Sequence, residues 1–474
     1  MKRSHALFPP LAATCVVLVT IAALSSNSAT QASTSQFLGS AEANSKQLIK
    51  QGRQIFRFDS FGDEAFWTGQ LQMQKAVSTL SPATALQLGL KVDSQALTPA
   101  QLMAIKQGKV NLNDPAVTLQ LIKQNAVLGV VGTVKNHTLQ SVGFTCAICH
   151  STVNNSVAPG IGKRIDGLAN RDLNIGAIVA AAPNLQPLVD LLRLAPADST
   201  ITASQVRNVL RSWGPGKFDA ELFLDGKATN PEQVTNGVVT GRNVPGATLI
   251  PTASGLPGHN LHTWTGGWGT VTYWNAFVAV DELHGIGTFF DERFDNAEQF
   301  PIAAAARLGH VSVDDPDKDQ VTGKLAALHF YQLSLPAVKP RPGIDFNPAA
   351  AKRGDDLFSG KANCNSCHRE PLWTEPGWNQ HSADELKIDS FEADRAPASI
   401  VASGTPAHGY RTMNLAGIFV RERGLFMFPQ DKGRFYHDGR FKTLLDVVNS
   451  YDQRFSLGLT EQEKHDLVEY LKSL

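Results

Sequence analysis

Cys146-Ala147-Ile148-Cys149-His150 and Cys364-Asn365-Ser366-Cys367-His368 repeat one pattern, Cys-x-x-Cys-His, in a 474-residue chain with a single further cysteine, Cys15. Each copy reads as a covalent c-type haem attachment. Three residues apart on a helical turn, the two thiols face the same way and can form thioethers with the two haem vinyl groups. The adjacent histidine reaches the iron through one ring nitrogen while the other donates to a nearby acceptor. A zinc knuckle half-site, a redox dithiol and chance all compete for a single pentapeptide. Two copies, with no spare Cys/His pairs at zinc spacing, point to two haems.

Working outward, the N-terminus reads as an export signal. Lys2 and Arg3 form a basic start, Leu11 to Leu24 is apolar, and small residues follow, with cleavage expected after Ala29 or Ala32. Residues 1–32 are therefore expected to be a cleaved signal peptide and the protein to be periplasmic or otherwise exported. The apolar stretch is short for a membrane span, so no stable span is expected after cleavage. Cys15 sits mid-stretch, which argues against a lipid anchor; an uncleaved N-terminal anchor is the rival. Every remaining cysteine lies in a haem motif, which suits an oxidising compartment. The chain has 43 basic and 43 acidic residues. That balance leaves no electrostatic footprint for nucleic acid.

The length allows two domains. Segment 346–358 predicts a helix with Ala350, Gly354, Leu357 and Phe358 on one side, six residues before Cys364. The end of the chain predicts a closing helix, opened by a Thr460-x-x-Glu463 capping box. A stretched echo of these bookends flanks the first motif. Gly52, Ile55 and Phe56 match Gly354, Leu357 and Phe358, and 324–335 matches the closing helix. Pro336, Pro340, Pro342 and Gly343 mark a linker. The expectation is a mainly α fold with two cytochrome c-like haem domains. The N-terminal one, 40–336, holds haem 1 and is enlarged by long loop-rich and helical insertions; the C-terminal one, 346–474, holds haem 2. Helices are expected at 98–107, at 115–126 and around Val206 to Trp213, with 214–295 largely irregular. The enlargement reads either as a structural shell or as a pocket built over haem 1.

The C-terminal third resembles the dihaem cytochrome c peroxidase family, which includes the MauG-type enzymes of methylamine utilisation. The resemblance rests on Cys364–His368, Pro371-Leu372-Trp373-Thr374-Glu375, Tyr410-Arg411-Thr412-Met413-Asn414-Leu415, Phe435-Tyr436-His437-Asp438-Gly439 and the segment Thr443 to Tyr451. It implies an asymmetric pair of irons, one reacting with peroxide or dioxygen and the other relaying electrons. The peroxidases carry a displaceable histidine soon after the first motif. Here no histidine lies between His150 and His259, and no methionine between Met103 and Met413. An open or weakly liganded haem 1 is therefore expected.

His150 and His368 are the expected proximal ligands, and Cys146, Cys149, Cys364 and Cys367 the thioether residues. Pro159 and Pro371 could offer loop carbonyls to the two imidazoles. Lys163, Arg164 and Arg369 could pair with haem propionates or be solvated. For the sixth ligand of haem 2, Tyr451 is the family-implied candidate, at the offset from His437 where MauG-type enzymes carry a tyrosine. Met413 and Met427 are the alternatives, and His437 is expected beside haem 2 as a supporting residue. Catalytic residues stay unassigned. His259, His262 and Trp264, with Trp268, Trp274 and His284, read either as a pocket or as an aromatic core. Asp63 and Glu64 read either as pocket acids or as an exposed turn. The run Asp314 to Asp319 reads either as a calcium loop or as a solvated helix start.

The favoured function is haem-dependent oxidoreductase chemistry of peroxidase type. The expected partners are an electron-donor or acceptor redox protein or small molecule, together with peroxide or dioxygen. A non-catalytic dihaem electron-transfer cytochrome and a dihaem oxygenase of the rubber-cleaving type stay open.

Overall fold

The computed structural model describes residues 26–399 and 407–474. Lys2, Arg3, Cys15 and the apolar stretch 11–24 lie outside them. The chain divides into two compact units, 1–47 and 48–474. The described part of the first is helical, within the helix Ser26–Phe58. Everything below concerns the second.

That unit is built mainly of short helices with small two-stranded β pieces. Its helices begin where their side chains satisfy the free N–H groups of a first turn. Thr98, Thr202, Thr443 and Thr460 each accept at the hydroxyl from the N–H three positions on and donate their own N–H to that residue's side chain in return. Proline opens the helices Pro99–Lys106, Pro115–Lys123 and Pro348–Ser359, where its missing N–H costs nothing. These agree with the helices expected at 98–107, 115–126 and 346–358, and Glu461–Ser473 agrees with the expected closing helix.

One packing device occurs twice. A Cβ on Gly52 would run into the carbonyl of Ala327 and the side chain of Tyr331. A Cβ on Gly354 would meet the carbonyl of Asp466 and the side chain of Tyr470 in the same way. In each pair the aromatic ring four residues after the glycine meets that tyrosine, Phe56 on Tyr331 at 5.4 Å and Phe358 on Tyr470 at 5.0 Å between ring centres. The missing side chain lets two backbones approach closely. The helices before and after each Cys-x-x-Cys-His segment thus cross by the same contact.

Segment 214–295 is more ordered than its composition predicts. Thr229–Thr235 and Val238–Pro245 form a hairpin around Asn236-Gly237, both with positive φ. That is the turn conformation a two-residue hairpin loop demands, and Asn-Gly suits it best. A second hairpin, Val130–Lys135 with Thr138–Phe144, turns on Asn136-His137. Its return strand feeds directly into the first Cys-x-x-Cys-His segment. It is pinned by Thr68, whose hydroxyl bonds both the N–H and the carbonyl of Val142. Asp63 holds the N–H of Phe144 at 2.9 Å. Asp63 is fully buried, so it is not part of an exposed turn.

Three large cores result. One gathers Leu71, Ile122, Val142, Ile148, Leu173 and Leu210. A second is aromatic, around Phe56, Trp268, Phe277, Phe294 and Phe300. The third lies wholly within the C-terminal third, around Phe358, Leu444, Leu467 and Leu471. No described helix is long and apolar enough to cross a membrane.

Candidate haem-binding sites

The C-terminal site is built on the turn Cys364–Ser366, after which the His368 N–H bonds the Cys364 carbonyl at 2.9 Å. His368 Nδ1 lies 3.0 Å from the carbonyl of Trp373. A carbonyl only accepts, so Nδ1 carries the proton and Nε2 keeps its lone pair for a metal. The orienting carbonyl is that of Trp373 and not that of Pro371. A cavity of about 510 Å³ opens from Cys364, Cys367 and His368. Phe358, Val447, Val448 and Leu467 wall it with apolar surface, and Tyr451, Met413, Met427 and His437 all border it. Burial pushes the Cys364 thiol up to about 12. Two cysteines on one turn, an oriented imidazole and a roomy apolar cavity fit a covalently held haem.

The four bordering candidates differ in setting. The Met413 carbonyl faces the His368 ring. The Arg454 guanidinium lies 4.2 Å over the ring of Tyr451, and its Nη2 has no partner. His437 stacks on Tyr410 at 5.0 Å, and burial pushes it down to about 4. On the His368 side, His381 Nε2 meets Glu375 at 2.7 Å, Nδ1 meets Glu385 at 2.9 Å, and the Thr412 hydroxyl donates to Glu375 at 2.5 Å. The hydrogen bond to Cys367, then that to Glu375, lifts His381 to about 11. Cys367, Glu375 and His381 bring ligand atoms within 4.8 Å of one another. Cys367 of this trio also belongs to the Cys-x-x-Cys-His motif.

The N-terminal site is built differently. Cys146 packs against the aromatic core and Cys149 against the larger aliphatic one, and burial pushes both thiols up to about 12. His150 Nδ1 is buried without a hydrogen-bond partner. The nearby carbonyl is that of Pro251, and burial pushes His150 down to about 4. Pro159 sits in a turn of its own, its neighbour Ala158 bridged to Ile161.

Two π-helical turns, Ala65–Gln70 and Val278–Glu282, are tied together near this motif by Trp67 Nε1, which donates to the Leu283 carbonyl at 3.0 Å. Trp67 also packs edge-on against Phe144, at 4.9 Å. His284 has positive φ and stacks on Phe66 at 3.6 Å. The carboxyl groups of Asp281 and Glu282 each bury an oxygen with no partner, and burial pushes both well above the carboxylate range. Glu282 is felt electrostatically at Cys149. Wide turns, a strained backbone and uncompensated buried acids concentrate where function resides.

His259, His262 and Trp264 stand elsewhere. Gly258 abuts Leu372, both histidines are pushed down by burial and then by Arg411, and Trp264 borders the C-terminal cavity. Trp264 Nε1 is used by the Leu249 carbonyl at 2.6 Å. Trp268 and Trp274 belong to the aromatic core. Arg164 is paired with buried Asp93 at 3.1 Å, and Lys163 and Arg369 are exposed. Buried guanidinium nitrogens without a partner occur on Arg164 and Arg454 and on a group formed by Arg171, Arg421 and Arg434. Sequence reading missed Asp281, Glu282 and the arginines of this group. An adjacent Asp-Glu pair inside an apolar helical stretch was the one available signal.

No family model matches the chain. It is 31% identical over 199 residues to the cytochrome-c peroxidase IdrP1 of Denitromonas iodatirespirans, covering 33% of this chain and 51% of that protein. It is 30% identical over 140 residues to the methylamine utilization protein MauG of Methylorubrum extorquens, covering 27% and 35%. The chain therefore spans about half or less of the length of these relatives. A solved structure of a MauG-like protein associated with microbial copper homeostasis covers 61% of this chain and 87% of its own, at 18% identity and a TM-score of 0.28. Over the matched segments the chain is similar to c-type cytochromes, in keeping with its two Cys-x-x-Cys-His motifs. Within that class, the chain is related to the dihaem cytochrome c peroxidase/MauG-type family.

Proposed function

We propose that the protein is an exported dihaem c-type cytochrome oxidoreductase of the peroxidase/MauG-like kind, with residues 40–336 and 346–474 as its two haem domains. The observation that carries this reading is the contrast between the two motifs. One adjoins buried acids without partners; the other opens on an apolar cavity with an oriented histidine.

Reducing peroxide to two waters consumes two electrons and two protons, and haem c bound at the two motifs would supply the electrons. The chain's own residues handle the rest. Glu282, held protonated by burial, donates a proton to the departing oxygen, and Asp281 beside it is the next acid in line. The walls from Phe66, Trp67 and Phe144 exclude water around the first motif. At the second motif, Trp373 fixes the tautomer of His368. Tyr451 is the proposed sixth ligand of haem 2, because it borders the cavity that opens from His368 and stands at the offset from His437 where MauG-type enzymes carry a tyrosine. The Met413 backbone lies toward the His368 ring, which ranks Met413 below Tyr451. Export fits a chain whose cysteines beyond residue 32 all lie in the two motifs.

An apolar cavity of about 330 Å³ lies between Val77, Leu97, Leu121 and Phe144. It favours an organic co-substrate, and with it the oxygenase reading, but none of Cys146, Cys149 or His150 borders it, so it ranks second.

The test is EPR of the ferric protein carrying both haems, alongside peroxide consumption in the half-reduced state. The expected result is two haems per chain, a high-spin signal from one of them that cyanide removes, and turnover of peroxide. Two low-spin signals that cyanide leaves unchanged, ferric and half-reduced alike, would mean a bis-ligated electron carrier.

A further inference from the structure

We propose that Arg171, Arg421 and Arg434 form a carboxylate-binding site between the two Cys-x-x-Cys-His segments, and that its ligands are haem propionates. The proposal rests on the dihaem reading above.

Position is the first argument. The charge of Arg171 is felt at His150 of the first motif, while Arg171 and Arg421 both border the cavity that opens from His368 of the second. Arg434 joins them, with Nη1 on the Pro215 carbonyl at 2.6 Å and Nη2 on the Arg171 carbonyl at 2.8 Å. Arg421 in turn donates to the Arg434 carbonyl. Backbone carbonyls thus hold the group in place. Arg171 Nη1, Arg421 Nε and Arg434 Nε are left buried and unpartnered.

Charge is the second argument. Burial first, and then neighbouring guanidiniums, pushes Arg171 and Arg421 down, while burial lowers Arg434 against the opposing pull of Asp431 and Asp172. The cations of this group are the three arginines and Lys91. Against these four stand two carboxylates, Asp172, paired with Lys91, and Asp431, 3.3 Å from Arg434. The adjoining group is already balanced, with Lys217 and Arg440 facing Asp389 and Asp438. Two buried positive charges are therefore in excess, and an unpaired buried charge is costly. Two carboxylates would cancel them, and guanidinium N–H groups bind carboxylates with directional, charge-assisted bonds. Each haem c brings two propionates. The group's place between the motifs, with Arg171 reaching toward both, fits one propionate from each haem.

Losing a positive charge beside a haem favours its ferric form, so the potential falls. Redox titration of the doubly loaded protein tests this. Arg171→Gln should shift both haems to lower potential, and Arg421→Gln mainly the His368 haem. Arg171→Lys and Arg421→Lys, which keep the charge, should recover most of each shift. Variants that carry two haems but keep the parent potentials would overturn the proposal. Fewer than two haems in the unsubstituted protein would instead sink the dihaem reading, and this inference with it.

Discussion

His368 and His150 follow the same four-residue lead, yet the His368 ring is held by the Trp373 carbonyl at 3.0 Å, while His150 has only the looser Pro251 carbonyl nearby and no well-formed bond at Nδ1. The surroundings divide the same way. The acid nearest His368 is Glu375, which is spent on His381, Thr412 and Asn379. Burial opposes its ionisation, but those hydrogen bonds bring it down to about 2. The acid facing Cys149 is Glu282, with a buried oxygen that no described residue bonds. One motif is set beside a carboxylate that hydrogen bonds keep ionised, the other beside carboxyl groups that burial keeps protonated and whose buried oxygens are unengaged. An acid that is protonated and unengaged is what a proton-consuming step such as peroxide cleavage uses. The two motifs are alike in attachment and different in acid–base supply.

The largest expected effect breaks this contrast if it fails. Glu282→Gln should lower the peroxide-reduction rate of the doubly loaded protein by ~10²–10⁴-fold, the range of a lost general acid. Glu375→Gln should leave the rate close to that of the parent. Equal losses in steady-state peroxide consumption would mean that the two environments are not functionally distinct.

The second prediction concerns what the regions share. Gly52→Ala and Gly354→Ala each force a methyl into a neighbouring backbone, so each should destabilise by ~1–3 kcal/mol, or more if the helices cannot part. Thermal unfolding of the loaded variants reads this directly. A tolerated Gly52→Ala beside a damaging Gly354→Ala would show that the two crossings are not equivalent.

Those glycines also show what was legible in the chain. Gly52 and Gly354, each four residues before a phenylalanine, could be matched from sequence because a close crossing constrains residue type at fixed spacing. The capping residue Thr460 was legible for a similar reason, since a cap is a local hydrogen bond. Asn236-Gly237 carried a hairpin signal inside a stretch read as irregular from its Gly, Asn and Thr content; composition masked a two-residue turn. The placement of His259 and His262 was not legible at all. Their spacing marks a cluster, but only the tertiary fold brings Gly258 onto Leu372 and away from the first motif. The unpaired guanidiniums were hidden for the same reason. Arg171 and Arg421 lie 250 residues apart, and nothing local reveals that a buried charge lacks its partner.

A third, smaller effect sharpens the account of the first motif. Burial raises Asp63 to about 9, with Glu64 and Asp59 adding to the rise, and Lys324 is engaged with Asp59. The folded state therefore keeps a proton that the unfolded state releases above the ordinary carboxyl pKa. Its contribution to stability is complete below that value and is lost as pH rises toward about 9. The slope is one proton, at most about 1.4 kcal/mol per pH unit. Asp63→Asn, which can still accept from Phe144, should remove that slope, so that the variant gains on the parent between pH 5 and 8. Denaturant unfolding at several pH values is the check; parallel profiles would place the titration elsewhere.

The smallest effect belongs to the acidic run. The carboxyl group of Asp319 is already engaged, with Oδ1 accepting from the N–H groups of Val321 and Thr322 and Oδ2 from the Thr322 hydroxyl, each at 2.8 Å. Asp315 accepts from the Asp317 N–H at 3.1 Å and lies 3.5 Å from exposed Lys318. Carboxylates used in this way tighten a turn and have little left to offer a cation. Asp319→Ala should cost roughly 1 kcal/mol, the worth of a lost partly exposed hydrogen-bond set. The cost should be the same with calcium and with a chelator. A midpoint of unfolding that moves with calcium in the parent but not in Asp319→Ala would make this run a metal loop after all. The second motif, more than forty residues away in sequence and walled by its own core, should keep its haem and potential in either case.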